Sequence, residues 1–246
     1  MYAFRTTAGP VDLAFTDRYG GVSGVPYDEL NLGINTGDDD QAVATNLTRV
    51  LADFAPDLDP GSALVDMQQV HGDAVVCVDA QDATGARVTC DGLVTDTPDL
   101  VLMVRVADCV PVLLADLDRS LAGAVHAGRP GLAAGIVPKA VAGLRTHGAD
   151  RLTAWIGPHV CGVCYEVPAE MRAEVADVVP AAASTTSWGT PALDIGAGVR
   201  AQLEEAGVSV QDVSRCTRES AGLFSYRRDG QRAGRQAGLV RLRRPS

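Results

Sequence analysis

The sequence predicts an α/β protein with the layers of an α+β sandwich, in which a mixed β-sheet is flanked by helices. Two observations predict this class. Short apolar segments with strand character are interleaved with segments of helical periodicity, and the connections between them are short. No repeat, low-complexity linker or change in composition marks a boundary, so residues 1–246 are expected to form a single domain.

The individual elements are predicted from local patterns of apolar residues. The helix at 40–54 rests on apolar residues that recur at the helical period. Pro138 interrupts the helix at 131–144, where it is expected to produce a kink. The full set comprises strands at 12–16, 74–78 and 152–156, a hairpin at 110–125, and helices at 40–54, 131–144, 168–179 and 194–205.

A central hairpin brings two reactive residue types together. Val110–Asp116 and residues 119–125 are apolar runs on either side of a polar break at 117–118, which predicts a two-residue loop. With that loop Cys109 faces His126, because opposed residues of an antiparallel pair point to the same face. The pair predicts either a metal site or a nucleophile with its base. On residue types alone, a buried cysteine beside an unrelated histidine fits equally well.

A third donor is available in His71, which precedes the predicted strand at 74–78 in polar, loop-like surroundings. His71, Cys109 and His126 would give Zn²⁺ two imidazoles and one thiolate, with one coordination position left open. Catalytic zinc sites have this arrangement, whereas structural zinc normally has four protein ligands. These three residues are therefore the candidate metal ligands.

Charge and composition exclude several classes of function. The net charge of −10 argues against sequence-independent nucleic-acid binding, which needs a basic surface. The apolar stretch at 100–117 is interrupted by Arg105, Asp108 and Pro111, so it does not predict a membrane span. The start of the chain lacks a targeting pattern, and six scattered cysteines fit a reducing compartment. We therefore expect a cytoplasmic protein.

Short motifs in a fixed order carry a resemblance to a known family. Each motif alone is a weak signal, and together they extend over nearly the whole chain. In order they are RYGGVS at 18–23, LNLG at 30–33, GDD at 37–39, QVHG at 69–72, DGLVT at 91–95, ADC at 107–109, VHAG at 125–128, residues 157–167 ending in CYEV, FSYRRDG at 224–230 and GRQ at 234–236. On these motifs the chain resembles the laccase-domain family, also called multicopper polyphenol oxidoreductases and now viewed as purine nucleoside phosphorylases.

The resemblance implies a zinc enzyme that acts on purine nucleosides. In the family, the histidines of the QVHG and VHAG motifs and the cysteine of the ADC motif bind zinc, and here these are His71, His126 and Cys109. The implied reaction is phosphorolysis of adenosine, inosine and 5′-methylthioadenosine to a free purine and a ribose 1-phosphate. Deamination of adenosine is an implied side activity. Nucleoside and phosphate are thus the implied partners, and Cu²⁺ is the alternative metal.

Candidate catalytic and substrate-binding residues lie within the same motifs. Asp108, next to Cys109, is the nearest carboxylate in sequence and would act as a proton shuttle in deamination, cap a turn, or orient a ligand histidine. For phosphate, Arg18 is the first candidate, because it adjoins a glycine turn that lets the backbone approach an anion. Arg227 and Arg228 are the second candidates for phosphate. Asn31 of the LNLG motif is a further substrate-binding candidate.

The chain departs from the family pattern at three places. Residues 129–131 read Arg-Pro-Gly where the family usually has Trp-Arg-Gly, so an aromatic side chain is lost and an arginine moves by one position. Val163 precedes Cys164 where the family often has adjacent cysteines. A histidine that commonly follows the LNLG motif is replaced around Asn35 and Thr36. The three metal ligands are unchanged, so zinc binding is better supported than substrate choice.

Other functions stay open on the sequence. A copper polyphenol oxidase would need many imidazoles, and the chain has four histidines. A metal-free cysteine hydrolase would use Cys109 as the nucleophile and His126 as the base. A non-enzymatic zinc-binding module would close the site with a fourth protein ligand such as His159 or Cys164. Cys161 and Cys164 also faintly resemble the C-x-x-C of zinc deaminases, although turn or packing residues are the expectation there.

Overall fold

Two six-stranded sheets packed face to face form the centre of the fold, and helices cover both outer faces. The computed structural model describes residues 1–84 and 87–244. Its strands are β1 (Tyr2–Ala8), β2 (Val11–Thr16), β3 (Leu64–Gln68), β4 (Val75–Cys77), β5 (Val88–Thr89), β6 (Gly92–Thr95), β7 (Val101–Val106), β8 (Val110–Asp116), β9 (Leu121–Ala127), β10 (Leu152–Ile156), β11 (Ala183–Thr185), β12 (Pro191–Leu193), β13 (Ser209–Asp212) and β14 (Gln236–Leu242). Its α-helices are α1 (Asp40–Phe54), α2 (Pro60–Ala63), α3 (Arg129–Ala133), α4 (Ile136–Thr146), α5 (Ala169–Val178), α6 (Ile195–Glu205) and α7 (Tyr226–Asp229).

Both large sheets contain parallel and antiparallel neighbours. The first has the strand order β1-β2-β14-β7-β3-β5, in which β14 pairs antiparallel with β2 and β7, and β3 pairs parallel with β7. The second has the order β13-β10-β8-β9-β6-β4, in which β10 pairs antiparallel with β8 and parallel with β13. The predicted α/β class with flanking helices is confirmed, with two mixed sheets where the sequence indicated one.

The alternation of side chains along the strands divides the core into layers. In β7, Leu102 and Val104 join the apolar cluster between the sheets, whereas Met103 points to the opposite face and joins the cluster that contains Phe54 of α1. Val112 of β8 faces outward and belongs to the cluster formed with α4 and α6. Burying each of these side chains stabilises the fold by about 1.5–3 kcal/mol. Helix, sheet, sheet and helix therefore form four successive layers.

The helix predicted at 40–54 is confirmed as α1. Asp39 precedes it, and its carboxylate accepts hydrogen bonds from the backbone N–H groups of Gln41 and Ala42. At 15 residues α1 is the longest helix in the described part of the chain, and no helix there is both long enough and apolar enough to cross a membrane. The strand predicted at 152–156 is confirmed as β10.

The central hairpin differs from its prediction in loop length and register. Residues 117–120 form a four-residue loop, so Pro111 rather than Cys109 pairs with His126. Asp116 stabilises this longer loop, because its Oδ1 accepts hydrogen bonds from two backbone N–H groups of the loop at 3.1 and 3.0 Å. The prediction that Cys109 directly faces His126 in the ladder is therefore wrong, and Cys109 lies immediately before β8.

The helix predicted at 131–144 is divided into α3 and α4. Gly135, which separates them, adopts a φ of +82° in the left-handed region that favours glycine. Pro138 then falls in the first turn of α4, where backbone N–H groups have no partner within the helix. The proline is thus accommodated at a helix start, and the prediction of one kinked helix is wrong.

Candidate active site and metal centre

His71, Cys109 and His126 converge at one end of the space between the sheets. Their ligand atoms all lie within 4.8 Å of one another. His71 and Cys109 follow β3 and β7, which are neighbours in the first sheet. His126 lies on β9 of the second sheet, at the same parity as Ala124, which faces the core between the sheets. The two sheets together therefore assemble three residues that are far apart in sequence.

Asp91 holds two of these three residues in place. Its fully buried carboxylate lies with Oδ1 2.7 Å from Nδ1 of His126. The same carboxylate accepts hydrogen bonds from the backbone N–H groups of residues 70–72 at 2.7 to 3.2 Å. Because Nδ1 of His126 is engaged, its Nε2 is the nitrogen that faces Cys109. A carboxylate on the outer nitrogen is the usual companion of a metal-binding histidine, since it fixes the tautomer and the ring orientation.

Cys109 and His126 stabilise each other's charged forms. Burial raises the pKa of the Cys109 thiol, but the neighbouring His126 and His71 outweigh it and lower that pKa to about 6. Burial likewise lowers the pKa of His126, but Cys109 and Asp91 outweigh it and raise that pKa to about 9. Cys109 is therefore present as a thiolate at neutral pH, which is the form that binds metal ions and acts as a nucleophile.

A glycine at position 128 allows the close approach of His71 to Cys109. A Cβ atom there would lie 2.8 Å from Cδ2 of His71 and 3.4 Å from Sγ of Cys109. The rings of His71 and His126 meet edge to face, with their centroids 4.8 Å apart and an interplanar angle of 79°. No side chain larger than hydrogen fits at position 128 without moving the His71 ring.

A cavity of about 910 Å³ opens over these three residues. This volume lies in the range of small-molecule sites. Although the chain has a net charge of −10, the described lining contains five arginines and one aspartate. The local excess of positive charge suits an anionic ligand. The lining arginines are Arg87, Arg105, Arg129, Arg227 and Arg235.

The lining arginines differ in how many hydrogen bonds and ion pairs their guanidinium groups make with the rest of the protein. Arg105 is buried, donates from Nε to a backbone carbonyl at 2.5 Å, and forms an ion pair with Asp66. Arg235 donates from Nη1 to the carbonyls of residues 233 and 234 at 2.6 and 2.9 Å. The side chain of Arg129 makes no hydrogen bond or ion pair with any residue that the structure describes. Its guanidinium is thus free to bind an anion.

Asp108 lies in the cavity wall, at the turn between β7 and β8, with a φ of +95°. Its Oδ1 accepts a hydrogen bond from Oγ1 of Thr217, and its Oδ2 accepts one from the backbone N–H of Arg227, both at 2.5 Å. The guanidinium of Arg227 stacks on Tyr165, 4.3 Å from the ring centroid. Both oxygens of Asp108 therefore accept hydrogen bonds, which hold the segments around Thr217 and Arg227 beside the cavity. The carboxylate that contacts and orients a candidate ligand histidine is that of Asp91 instead.

The structure does not bring Arg18 and Asn31 to the lining of the cavity. Arg18 donates from Nε to the carbonyl of Asp28 at 2.6 Å, and its guanidinium lies 4.7 Å from the centroid of the Phe224 ring. Asn31 is fully buried, and its Oδ1 accepts hydrogen bonds from the backbone N–H groups of Gly33 and Arg235, each at 2.8 Å. Both residues therefore hold neighbouring loop segments together outside the cavity lining. Of the sequence-based substrate candidates, only Arg227 lines the cavity.

His159 and Cys164, the residues considered as a fourth ligand, also lie elsewhere. The His159 ring packs against Gly196 of α6, and Cys164 Sγ lies 3.5 Å from a carboxylate oxygen of Glu219. Within residues 1–84 and 87–244, no further histidine, cysteine or carboxylate joins the His71 group. His147 caps the far end of α4. Two of the four histidines therefore share a site, which does not provide the imidazoles of a multicopper cluster.

Sequence reasoning missed the roles of Asp91 and Arg105. Asp91 pairs with His126 across 35 residues, and no local pattern reports a contact of that separation. Arg105 carried a signal, because a charged residue within an otherwise apolar buried strand needs a partner. That partner is Asp66 on the neighbouring β3.

These features define a class: an α/β sandwich with a candidate metal centre of two imidazoles and one thiolate in an arginine-lined cavity. The chain belongs to the multi-copper polyphenol oxidoreductase laccase family, whose model matches residues 12–243. This match confirms the family resemblance seen in the sequence motifs.

Curated relatives and solved structures agree with this assignment. A Streptomyces coelicolor protein named purine nucleoside phosphorylase is 54% identical over 245 residues, which are 98% of this chain and 100% of the relative. A Mycobacterium tuberculosis protein of the same name is 47% identical over 92% of this chain and 89% of its own length. The crystal structure of YlmD from Geobacillus stearothermophilus superposes with a TM-score of 0.84 at 30% identity, covering 96% of this chain and 93% of that chain.

Proposed function

We propose that this protein is a purine nucleoside phosphorylase, which uses phosphate to split a purine nucleoside into a free purine and a ribose 1-phosphate. Adenosine, inosine and 5′-methylthioadenosine are the proposed substrates. One observation carries the proposal: a single cavity in an acidic protein combines the His71–Cys109–His126 group with five arginines. The names of relatives up to 54% identical over the full length support the same activity.

The residues of the His71 group fit zinc. Two imidazoles and a thiolate are ligands that zinc favours, and the thiolate form of Cys109 is already stabilised by its neighbours. Asp91 fixes the His126 tautomer that presents Nε2 to the site. Bound zinc would supply a Lewis acid at the cavity wall. Cu²⁺ also favours nitrogen and sulfur ligands, so metal exchange belongs in the test.

Phosphorolysis requires a phosphate held against the ribose. An oxygen of the phosphate forms a bond to C1′ while the bond from C1′ to the purine nitrogen breaks. The electron pair leaves with the purine, which gains a proton in balance with the one that the attacking phosphate gives up. Arg129 is unoccupied, and Arg227 is held at the wall through its backbone contact with Asp108. We assign phosphate binding to this pair, because guanidinium groups bind phosphate oxygens in a planar, bidentate manner.

The nucleoside needs an apolar surface as well as charge. Tyr226 lines the cavity and is about half exposed, so its ring is available to stack on a purine.

We also propose deamination of adenosine to inosine as a side activity at the same site. In both reactions we assign Asp108 a positioning role, because Thr217 and Arg227 already donate to its two oxygens.

A paired assay tests the proposal. Adenosine is incubated with and without phosphate, with zinc content measured, for the wild type, Cys109→Ala and the matched control Cys77→Ser, whose thiol is exposed on β4. The expected result is phosphate-dependent release of adenine and ribose 1-phosphate by the wild type and the control. Cys109→Ala is expected to lose this activity together with zinc.

Two other results would point to different functions. Turnover by wild-type protein that contains no metal would favour a cysteine hydrolase, since Cys109 and His126 form a charged nucleophile–base pair. Zinc-loaded protein that leaves all three nucleosides unchanged would overturn the phosphorylase proposal.

A further inference from the structure

A second group of metal-binding residue types lies outside the site described above. Cys161, Cys164, Cys216 and Glu219 place three thiols and a carboxylate with all their ligand atoms within 4.8 Å of one another. Cys164 is buried, Cys161 and Cys216 are partly buried, and Glu219 is exposed. The group therefore sits just below the surface, with its carboxylate at the rim.

The fold brings these residues together through one pair of parallel strands. β10 and β13 are hydrogen-bonded neighbours that run in the same direction, so the loops after them leave the same edge of the sheet. Cys161 follows β10 and Cys216 follows β13, and an isolated parallel bridge between His159 and Cys216 extends the pairing beyond the strands. The group thus has a rigid framework on both sides.

Local hydrogen bonds give the group the form of a metal-binding turn. The backbone N–H of Cys164 donates to the carbonyl of Cys161 at 3.0 Å, which closes the C-x-x-C turn and turns both thiols to one side. The backbone N–H of Cys161 lies 3.5 Å from Sγ of Cys216. Sγ of Cys164 lies 3.5 Å from Oε1 of Glu219. Two chain segments, 55 residues apart in each contact, are held together at this point.

We propose that Cys161, Cys164, Cys216 and Glu219 form a second, structural zinc site. Four protein ligands close the tetrahedral coordination of zinc, which distinguishes this site from the three-ligand group in the cavity. A C-x-x-C pair with a distant third cysteine is a common ligand spacing in structural zinc sites. Three soft thiolates also select zinc over magnesium or calcium, which prefer oxygen ligands.

A disulfide is the competing explanation for clustered cysteines. It would use two of the three thiols and leave the third thiol and Glu219 without a role. The structure has all six cysteines as free thiols. A zinc ion accounts for all four residues at once, and the carboxylate in particular has no part in a disulfide.

The proposed zinc would stabilise the wall of the cavity. Thr217, next to Cys216, donates to Asp108, and the backbone N–H of Val160, next to Cys161, donates to the Asp108 carbonyl at 3.0 Å. Zinc at the second site would therefore hold the two segments that fix Asp108. This consequence does not depend on which substrate the cavity binds.

Zinc stoichiometry tests the proposal directly. Full-length proteins are loaded with zinc alone under reducing conditions, desalted and measured for metal per chain. The comparison is between Cys109→Ala and the double variant Cys109→Ala with Cys164→Ser. We expect one zinc per chain in the first and none in the second. Cys77→Ser added to Cys109→Ala is the matched control and is expected to keep its zinc, because Cys77 lies on β4, outside the group.

Cobalt substitution gives a second readout that reports the ligands themselves. Cobalt bound to Cys109→Ala would have the three thiolates of the second site as ligands. Cobalt bound to the double variant Cys164→Ser with Cys216→Ser would have one thiolate, that of Cys109 in the cavity. The thiolate-to-cobalt charge-transfer absorption of the first protein is therefore expected to be roughly threefold that of the second. Glu219→Gln changes an exposed residue, so it is expected to fold normally while zinc affinity falls roughly tenfold.

Three results would overturn the proposal. One is the absence of zinc from Cys109→Ala under these conditions. Another is zinc binding that survives in the double variant, which would place the ion elsewhere. The third is thiol titration of aerobically purified protein that finds two of the three cysteines joined in a disulfide. If the cavity site does not bind zinc, the zinc stoichiometry of the single and double variants still tests the second site, because both variants already lack Cys109.

Discussion

Asp91 and His126 form the contact that joins the two sides of the candidate metal centre, with Oδ1 of the carboxylate 2.7 Å from Nδ1 of the imidazole. The same carboxylate accepts the backbone N–H of His71 at 3.0 Å. Burial raises the pKa of Asp91, but His126 and the backbone donors outweigh it and hold that pKa below its ordinary value. A single charged group therefore positions two of the three candidate metal donors.

Asp91→Asn is expected to lower zinc affinity about 10–100-fold, in the range measured for carboxylates that support metal-binding histidines. The amide presents an N–H₂ group where the carboxylate accepts hydrogen bonds, so either His126 or the 70–72 backbone loses its partner. Competition with a chromogenic chelator measures the affinity. Asp73→Asn, in the same segment but partly exposed and paired with Lys139, should match the wild type. Unchanged zinc affinity in Asp91→Asn would contradict the positioning role.

Gly128→Ala is expected to weaken zinc binding roughly tenfold or more, because ligand geometry tolerates little displacement. The added methyl group would lie 2.8 Å from the His71 ring, which must move from its position beside Cys109 and His126. Gly24→Ala is the matched control, since a Cβ at Gly24 meets no atom within 4 Å. The same chelator competition serves as the readout. Equal affinities for the two variants would mean that His71 is not held as tightly as the geometry indicates.

The sequence was sufficient for several of the elements and for the residue types of the candidate metal centre. The helix at 40–54 was predicted with its observed bounds, because its apolar residues recur at the helical period. His71, Cys109 and His126 were selected from their chemistry, and the structure brings them together. The reason given was nevertheless wrong in detail, since Pro111 occupies the register position assigned to Cys109.

The errors and omissions share a physical cause, which is dependence on distant contacts. The hairpin loop is longer than predicted because Asp116 accepts hydrogen bonds both from the loop and from residues 150–151. Arg18 has a side chain suited to binding phosphate, but its guanidinium donates to the carbonyl of Asp28 and stacks on the ring of Phe224. Local patterns in a sequence do not reveal contacts of this kind with residues that are distant along the chain.

Arg129→Met is expected to raise the KM for phosphate roughly 10–100-fold in the proposed phosphorylase, since a charge-assisted hydrogen bond contributes about 1.5–3 kcal/mol. Arg129 lines the cavity and has no ion-pair partner among the described residues, so its loss should leave folding unaffected. Arg119→Met, in the exposed hairpin loop, is the matched control. A proportional fall in kcat with no change in KM for phosphate would assign Arg129 to another step.

Asp116→Asn is expected to lower the free energy of unfolding by about 2–3 kcal/mol at neutral pH, because buried N–H groups would lose their acceptor. Oδ1 of Asp116 accepts two bonds from the hairpin loop, and Oδ2 accepts two from residues 150–151 at 2.7 and 2.9 Å. The carboxamide can accept on one side only. Asp118→Asn, an exposed change in the same loop, should have a small effect; denaturant unfolding measures all three proteins.

The pH dependence of that difference distinguishes a charged acceptor from a packing defect. Burial raises the pKa of Asp116, but the four backbone donors outweigh it and lower that pKa below its ordinary value. The native state therefore binds fewer protons at this carboxylate than the unfolded state, so stability is gained as the pH rises. The full advantage over Asp116→Asn should be present above about pH 5 and should shrink as the pH falls below about 4. A difference that stays constant across this range would show that the charge of Asp116 is not what stabilises the hairpin.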